Sequence, residues 1–479
     1  MFQQIVNTSI SNAVFPQELK YSTVKPTIKN PSLDPEVFNN FRPLFCIPFL
    51  SKFIEQALHL QLDNYLQQNK LYSFYQSAYR RDYSCETAIL KLIDDLQTFQ
   101  HQDKNVVIIL LDQSAAFDTV DHGKLIEKLE QNFGIQGNAL LMLKSYLEHR
   151  TFSVDINNHL SSPKRSKYGV PQGSLLGPLF YSLYTHDIDQ IALKHDFHIQ
   201  IYADDCQIYK PFIIENIKNV ESKLQNCLDD IKTYMSQNYF MLNKDKTLVK
   251  IFWHKKSDPN IDKFLKFELQ HNIKVLGVNL ENSFKFNTFI QNKVKICNMH
   301  LRNLNNIRDS LDTSTRILLI TQLILSTIDY CNILLIACND KELKPLKLIM
   351  NRSIRFIFNL KFRQHVTPFY NKCHFLKIKN RILFKSCLTA HKIYHRKSPT
   401  YLEDKIQRYK PTIQSMTLRT GPGRDTFMFT TGHNEKKSLI NIIKTNWNNL
   451  PLELRKYNNT STFKEKLKTH IMTLQIHEI

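Results

Sequence analysis

Asp204 and Asp205 stand side by side in HIQIYADDCQIYK, between two short β-prone runs. Adjacent acids at such a place are common turn formers in solvent. They can instead hold a metal at a hairpin tip, provided a third carboxylate arrives from elsewhere. Asp112 is the candidate. It follows Val106 to Leu111, a continuous apolar run of six, the pattern of a strand buried on both faces. An acid closing such a strand either caps a helix or serves a site. The helix-patterned KLIEKLEQNF downstream can take its cap from Asp121, which leaves Asp112 for chemistry. If the two segments are neighbours, three clustered carboxylates resist ionising until a cation neutralises them. Hard oxygen ligands favour Mg²⁺ or Mn²⁺. Two such ions about 3.5–4 Å apart can activate an attacking 3′-oxygen and stabilise a leaving pyrophosphate. That is phosphoryl transfer by positioning and charge.

A second signal lies in the glycines. The chain has only ten in 479 residues, against an average usage of about 7%. Three of them, Gly169, Gly173 and Gly177, fall within nine residues in GVPQGSLLG. They indicate backbone at positive φ or a ligand close to the main chain, or else an ordinary irregular loop.

The elements that must position these residues belong to a chain of roughly three domain-sized units. Its 64 Lys+Arg against 43 Asp+Glu give a net charge of +21. That excess points to a polyanion, most simply nucleic acid, with an anionic membrane surface as the competing partner. No apolar run approaches the ~20 residues of a membrane span, and the N-terminus lacks a signal-peptide core. A soluble intracellular protein of nucleus or cytoplasm, neither secreted nor membrane-spanning, is expected. The nine cysteines are odd in number and none has C-x-x-C spacing, so neither a disulfide framework nor a zinc knuckle is supported. Cys373-His374 with His391 and His395 lacks the spacing of a metal site.

LLDQSAAFDTVDH, GVPQGSLLGPLFYSLY, YADD, LNKDKT and KVLGVNL occur in the order of a reverse transcriptase. They resemble motifs A to E of the non-LTR (LINE-type) retrotransposon polymerases, especially the jockey-like group. NNFRPLFCIPFLSKFIEQAL and YQSAYRRDYSCETAIL look like that family's fingers motifs. STIDYCNILL, TPFYNKCHFL and NWNNLPLELRKYNNTSTFKEKLKTHI resemble its thumb and C-terminal region. The resemblance covers roughly residue 15 to the end.

It implies an RNA-directed DNA polymerase that extends a DNA primer on an RNA template with dNTPs, using two Mg²⁺ (or Mn²⁺) ions. Asp112, Asp204 and Asp205 would be the metal ligands. Phe117 matches the steric-gate aromatic that excludes a 2′-hydroxyl; alone, it would read as a core residue. Gln172 and Gly173 of PQG would lie at the incoming nucleotide. Arg80, with Arg81 adjacent, would reach the triphosphate, and Lys246 would donate a proton to pyrophosphate. The departures are Gln113 after Asp112, Cys206 after YADD, and AYR where GFR or GFK is usual. None removes a metal ligand.

The implied fold is α+β: a right-hand polymerase with fingers and an antiparallel-sheet palm, then a helical thumb. Residues 1–14 are expected as a leader, 15–290 as fingers and palm, 291–400 as a basic helical thumb and 401–479 as a C-terminal tail. LKPLKLIMNRSIRFIF places Leu346, Ile349, Met350 and Ile357 on one side, with Lys344, Lys347 and Arg355 near another. From Leu343 to Thr400 there is no Asp or Glu, yet fourteen Lys and Arg. Lys344, Lys347, Arg352, Arg355, Lys361 and Arg363 are the expected phosphate contacts, with salt-sensitive affinity. PKRSK at 163–167 reads as a loop rather than a nuclear-localisation signal. The chain leaves no room for the endonuclease that full elements carry, so a 5′-truncated copy or a partial gene model, without target nicking, is expected. Two readings compete: a catalytically inactive nucleic-acid-binding remnant, and another palm enzyme such as a maturase or cyclase. The PQG loop and Phe117 argue against a cyclase, and the thumb and tail against a maturase. Protein partners are left open.

Overall fold

The apolar run before Asp112 is strand β3 (Asn105–Leu111), with all but one of its residues buried. In the computed structural model, residues 2–114, 117–243, 247–254, 268–406, 428–430 and 438–477 are described. They fall into two units. One comprises Met1–Tyr79, Val107–Val249 and Phe264–Glu268; the other comprises Arg80–Val106, Lys250–Lys263 and Leu269–Ile479.

The first unit holds two sheets. In one, β1 (Tyr21–Ile28) pairs antiparallel with β2 (Phe41–Cys46) and parallel with β5 (Thr151–Ile156). Short strands β6 (His159–Leu160) and β7 (Lys164–Arg165) extend it from β5. Part of PKRSK, expected as a loop, is thus β7. The other sheet has the order β11 (Leu248–Phe252, of which Leu248 and Val249 belong to this unit), β3, β9 (Asp205–Phe212), β8 (His198–Tyr202). Strands β8 and β9 form an antiparallel hairpin from His198↔Tyr209 to Tyr202↔Asp205. Burial of Ile199, Ile201, Cys206 and Ile208 fixes this register, since a one-residue slip would turn apolar side chains outward. A further pair joins β4 (Gln113–Ser114) to β10 (Met241–Leu242).

Helices α2 (Phe49–Gln68), α4 (His122–Gln131), α5 (Gly137–Leu147), α6 (Gly177–Tyr184), α7 (Ile188–Lys194) and α8 (Ile217–Gln237) complete this unit. Asp121 caps α4, its carboxylate accepting from the Lys124 N–H at 2.8 Å. The expected leader is helix α1 (Phe2–Ser11), which packs on α2 and α5. Phe2 stacks on Phe53 at 5.7 Å, and the following Ala13 and Phe15 are buried.

The second unit contains α3 (Cys85–His101), the hairpin β12 (Ile273–Val275) and β13 (Val278–Leu280), then α9 (Asn287–Asn306), α10 (Thr313–Leu319), α11 (Ser326–Asp329), α12 (Asp340–Phe358), α13 (Thr367–Lys372) and α14 (Ile378–Arg396). The helical character expected for 291–400 is observed. Buried Leu346, Ile349, Met350 and Ile357 mark the inner face of α12, which packs on α9. Helix α3 lies with the C-terminal helices, where acids in it and just before it find their cations. Asp82 pairs with Lys392 and Arg396, and Glu86 with Lys385. Asp94 pairs with Lys405 at 2.9 Å and accepts from the Ser438 hydroxyl. Nearby, His391 and His395 each donate Nε2–H to a backbone carbonyl, of Tyr457 and Arg455, at 2.8 Å.

Candidate active site

The β8–β9 turn consists of Ala203 and Asp204 alone. Ala203 is buried and left-handed, with φ +56°, a conformation non-glycine residues seldom adopt. Asp204 is half-buried and Asp205, opening β9, is exposed at its edge. Strand β9 lies beside β3, and the charge of Asp112, directly after β3, reaches both acids of the hairpin tip. The three acids sense one another. Burial raises the Asp204 carboxyl above the usual carboxylate range, and the Asp112 charge adds to this. Asp205 is pushed up to about 6 by burial of its carboxyl among neighbouring atoms, then by Asp204 and Asp112. No described Lys or Arg forms an ion pair with Asp204 or Asp205, although Arg42 exerts an opposing pull on Asp204.

Among the described residues no group of three or more His, Cys, Asp and Glu converges as a ready metal shell. The donor chemistry nevertheless fits a divalent cation: three hard oxygen donors, two of them held back from ionising by burial and by one another. A cation is what such a set requires to be charged together.

Phe117, Gln172 and Gly173, singled out in the sequence, lie in the same unit as the acids. Phe117 is half-buried, and its ring stacks on Tyr181 with centroids 4.7 Å apart. Tyr181 is fully buried and lies within the field of Asp204, which brings Phe117 into the vicinity of the acids. Gln172 donates Nε2–H to the Asp118 carboxylate at 2.8 Å, and its carbonyl accepts from the Phe45 N–H at 3.0 Å. Gly173 has φ +118°, and a Cβ there would stand 2.9 Å from the Phe45 carbonyl oxygen. Gly169, at φ +81°, would set a Cβ 2.8 Å from the Asp118 carbonyl oxygen. Both glycines therefore answer to backbone approaching backbone. Lys246 lies outside the described residues. Just before it, the Asn243 N–H donates to the Asp112 carbonyl at 3.1 Å. Arg80 and Arg81 belong to the second unit, where the Arg80 guanidinium covers the Tyr83 ring at 4.0 Å and Arg81 is exposed.

Three contributors went unread in the sequence. Arg42, in FRP, acts on Asp204. Glu55 is fully buried and accepts from Ser51 and Tyr146 hydroxyls and, at 2.8 Å, from the Leu175 N–H, fastening the PQG loop from beneath. Gln76 hydrogen-bonds Ala203. A buried Glu at position 55 leaves a faint trace, an acid on the apolar side of α2. The other two have no local signature.

In the second unit, Lys344, Lys347, Arg355 and Arg363 line a cavity of about 550 Å³ together with Lys377 and Lys379. Arg352 and Arg355 line another, of about 680 Å³, with Arg302 and Arg308. Lys361 is exposed beyond the end of α12. None of the six expected phosphate contacts is ion-paired among the described residues. Five other cations of the acid-free stretch are: Lys379 with Asp340, Arg381 with Asp329, Lys385 with Glu86, and Lys392 and Arg396 with Asp82. That part of the basic run holds the unit together.

A two-unit α+β chain with adjacent acids at the tip of a sheet hairpin has the layout of a polymerase-like protein. Residues 28–280, more than half of the chain, match the reverse transcriptase (RNA-dependent DNA polymerase) family, and the chain belongs to it. The α+β right-hand polymerase fold expected from the motifs is that family's fold. Among its relatives is the probable RNA-directed DNA polymerase from transposon BS of Drosophila melanogaster, 27% identical over 65% of this chain and 35% of the relative. The probable RNA-directed DNA polymerase from transposon X-element of the same species is 23% identical over 88% of this chain and 45% of the relative. The RNA-directed DNA polymerase from mobile element jockey is 26% identical over 60% of this chain and 32% of the relative. The chain thus spans less than half the length of these relatives. Their kinship agrees with the jockey-like, non-LTR resemblance of the motifs. Among solved structures, telomerase from Candida albicans with a TWJ fragment of telomeric RNA has a TM-score of 0.40 at 14% identity, over 88% of this chain and 71% of that one. Among the described residues no helix is long and apolar enough to cross a membrane.

Proposed function

We propose that this chain is an RNA-directed DNA polymerase of a retrotransposon, extending a DNA primer on an RNA template. The observation that carries the reading is the gathering of Asp112 with Asp204 and Asp205, in a chain of the reverse transcriptase family. Mg²⁺ or Mn²⁺ held by these acids would supply the charge that activates the primer 3′-oxygen and stabilises the leaving pyrophosphate.

The protein's own work is positioning. Phe117, backed by Tyr181, floors the sugar pocket and leaves no space for a 2′-hydroxyl. Gln172, oriented by Asp118, and Gly173 face the nucleotide. Arg80 and Arg81 take the triphosphate, and Lys246 hands a proton to the departing pyrophosphate. Residues 15–290 act as fingers and palm. Residues 291–400 act as a thumb whose Lys344, Lys347, Arg352, Arg355, Lys361 and Arg363 contact nucleic-acid phosphates.

The test is primer extension on poly(rA)/oligo(dT), with and without Mg²⁺. Mg²⁺-dependent incorporation of dTTP is the expected result. A chain that binds the primer–template yet never extends it would instead be an inactive nucleic-acid-binding remnant.

A further inference from the structure

Gln76 is 3% exposed, and its amide reaches the turn that carries the acids. Its Oε1 accepts from the Ala203 N–H at 3.1 Å and from the Ala78 N–H at 2.9 Å. Its Nε2 donates to the Ala203 carbonyl at 3.5 Å. One side chain therefore grips both polar groups of the left-handed residue immediately before Asp204. The grip is itself anchored. Residues 75–77 run along β8 as an added edge: the Ser77 N–H donates to the Ile201 carbonyl at 2.9 Å, and the Ile201 N–H to the Tyr75 carbonyl at 3.1 Å. Gln200 on β8 ties back, donating to the Tyr75 carbonyl at 3.0 Å and the Ser77 hydroxyl at 2.8 Å.

For an alanine, φ +56° is an unfavourable state that persists only where the surroundings hold it. The turn sets the direction in which Asp204 leaves the sheet and the point at which Asp205 begins β9. We infer that Gln76 is a positioning residue, which clamps Ala203 in its left-handed state so that Asp204 and Asp205 stand opposite Asp112. This rests on the reading of those acids as cation ligands. Only a carboxamide meets the need, since it offers an acceptor to two N–H groups and a donor to a carbonyl. A glutamate would keep the acceptor, lose the donor and place a fourth negative charge beside the three acids.

The full chain tests this as Gln76→Ala, Ala203→Gly and the double variant. The readouts are Mn²⁺ binding by electron paramagnetic resonance, single-nucleotide extension and melting temperature. Gln76→Ala should weaken Mn²⁺ binding about tenfold and slow extension at saturating dNTP by up to about 10²-fold, the effect of a displacement near 1 Å. The KM for dNTP should stay within about twofold, because the loss is one of geometry in the reacting state. Adding Ala203→Gly should restore most of the Mn²⁺ binding, since glycine takes positive φ without a clamp. Parent-like Mn²⁺ binding by Gln76→Ala would overturn the inference. So would a loss that tracks a lowered melting temperature and that Ala203→Gly does not restore. If the Mn²⁺ results follow expectation but the parent never extends a primer, the clamp stands and the polymerase reading falls.

Discussion

Replacing Phe117 with alanine should shift the enzyme's choice between ribo- and deoxyribonucleotides far more than it alters the fold. The ring stacks face-on against Tyr181 at 4.7 Å and 29°. Tyr181 is fully buried, so Phe117 cannot retreat when a ribose pushes its 2′-hydroxyl toward it. Forcing extra atoms into a filled space costs about 1–3 kcal/mol. At 1.4 kcal/mol per tenfold, this gives roughly 5- to 150-fold discrimination in kcat/KM. Phe117→Ala should abolish that much of the preference, with some loss of dNTP activity as the sugar loses its floor. The stability cost is bounded separately. Losing the aromatic pair removes about 0.5–1.5 kcal/mol, and truncating a half-buried ring falls below the 3–5 kcal/mol of a full core deletion. The assay is the ratio of kcat/KM for rNTP and dNTP, measured alongside the melting temperature. An unchanged ratio with a lowered melting temperature would return Phe117 to the core and refute the gate.

Asp204→Asn should end DNA synthesis while RNA binding, measured by fluorescence anisotropy, stays within about twofold, because the proposed phosphate contacts lie on other residues. Extension at the parent's rate would defeat the ligand assignment. Apparent Mg²⁺ affinity should be level above pH 7 and decline below about pH 6, where Asp205 takes up a proton and ceases to be a ligand. The sign follows from a folded-state value above the unfolded one: without metal, this group favours the fold at low pH and loses that contribution as pH rises through about 6. Constant affinity from pH 7 to 5 would count against it. Lys344→Ala with Lys347→Ala should flatten the log–log salt dependence of RNA binding by about 1–2, whatever the sequence bound. An unaltered slope would exclude those two lysines from the phosphate path.

The sequence by itself determined the parts whose cause is local. Six apolar residues ending in Asp112 had to be a buried strand, and the β-prone runs around Asp204-Asp205 had to form a hairpin. Asp121 capped its helix as the adjoining pattern required. Alternation, helical period and a cap are each satisfied within a few neighbours, so the chain displays them in linear order. The PQG glycines were legible as backbone needs, and the structure supplies the contacts behind them: Phe45 against Gly173 and Asp118 against Gly169. Only the tertiary structure decided the rest. Asp82 and, on α3, Asp94 are matched by cations some 300 positions away. The same pairing divided the basic stretch into cations matched by acids and the six, from Lys344 to Arg363, that have no ion pair among the described residues. Gln76, Glu55 and Arg42 act on the site without belonging to a periodic pattern. Their roles come from burial and from which polar groups meet across the sheet. A buried charge or amide must find a partner wherever folding brings one, and sequence order does not record that distance.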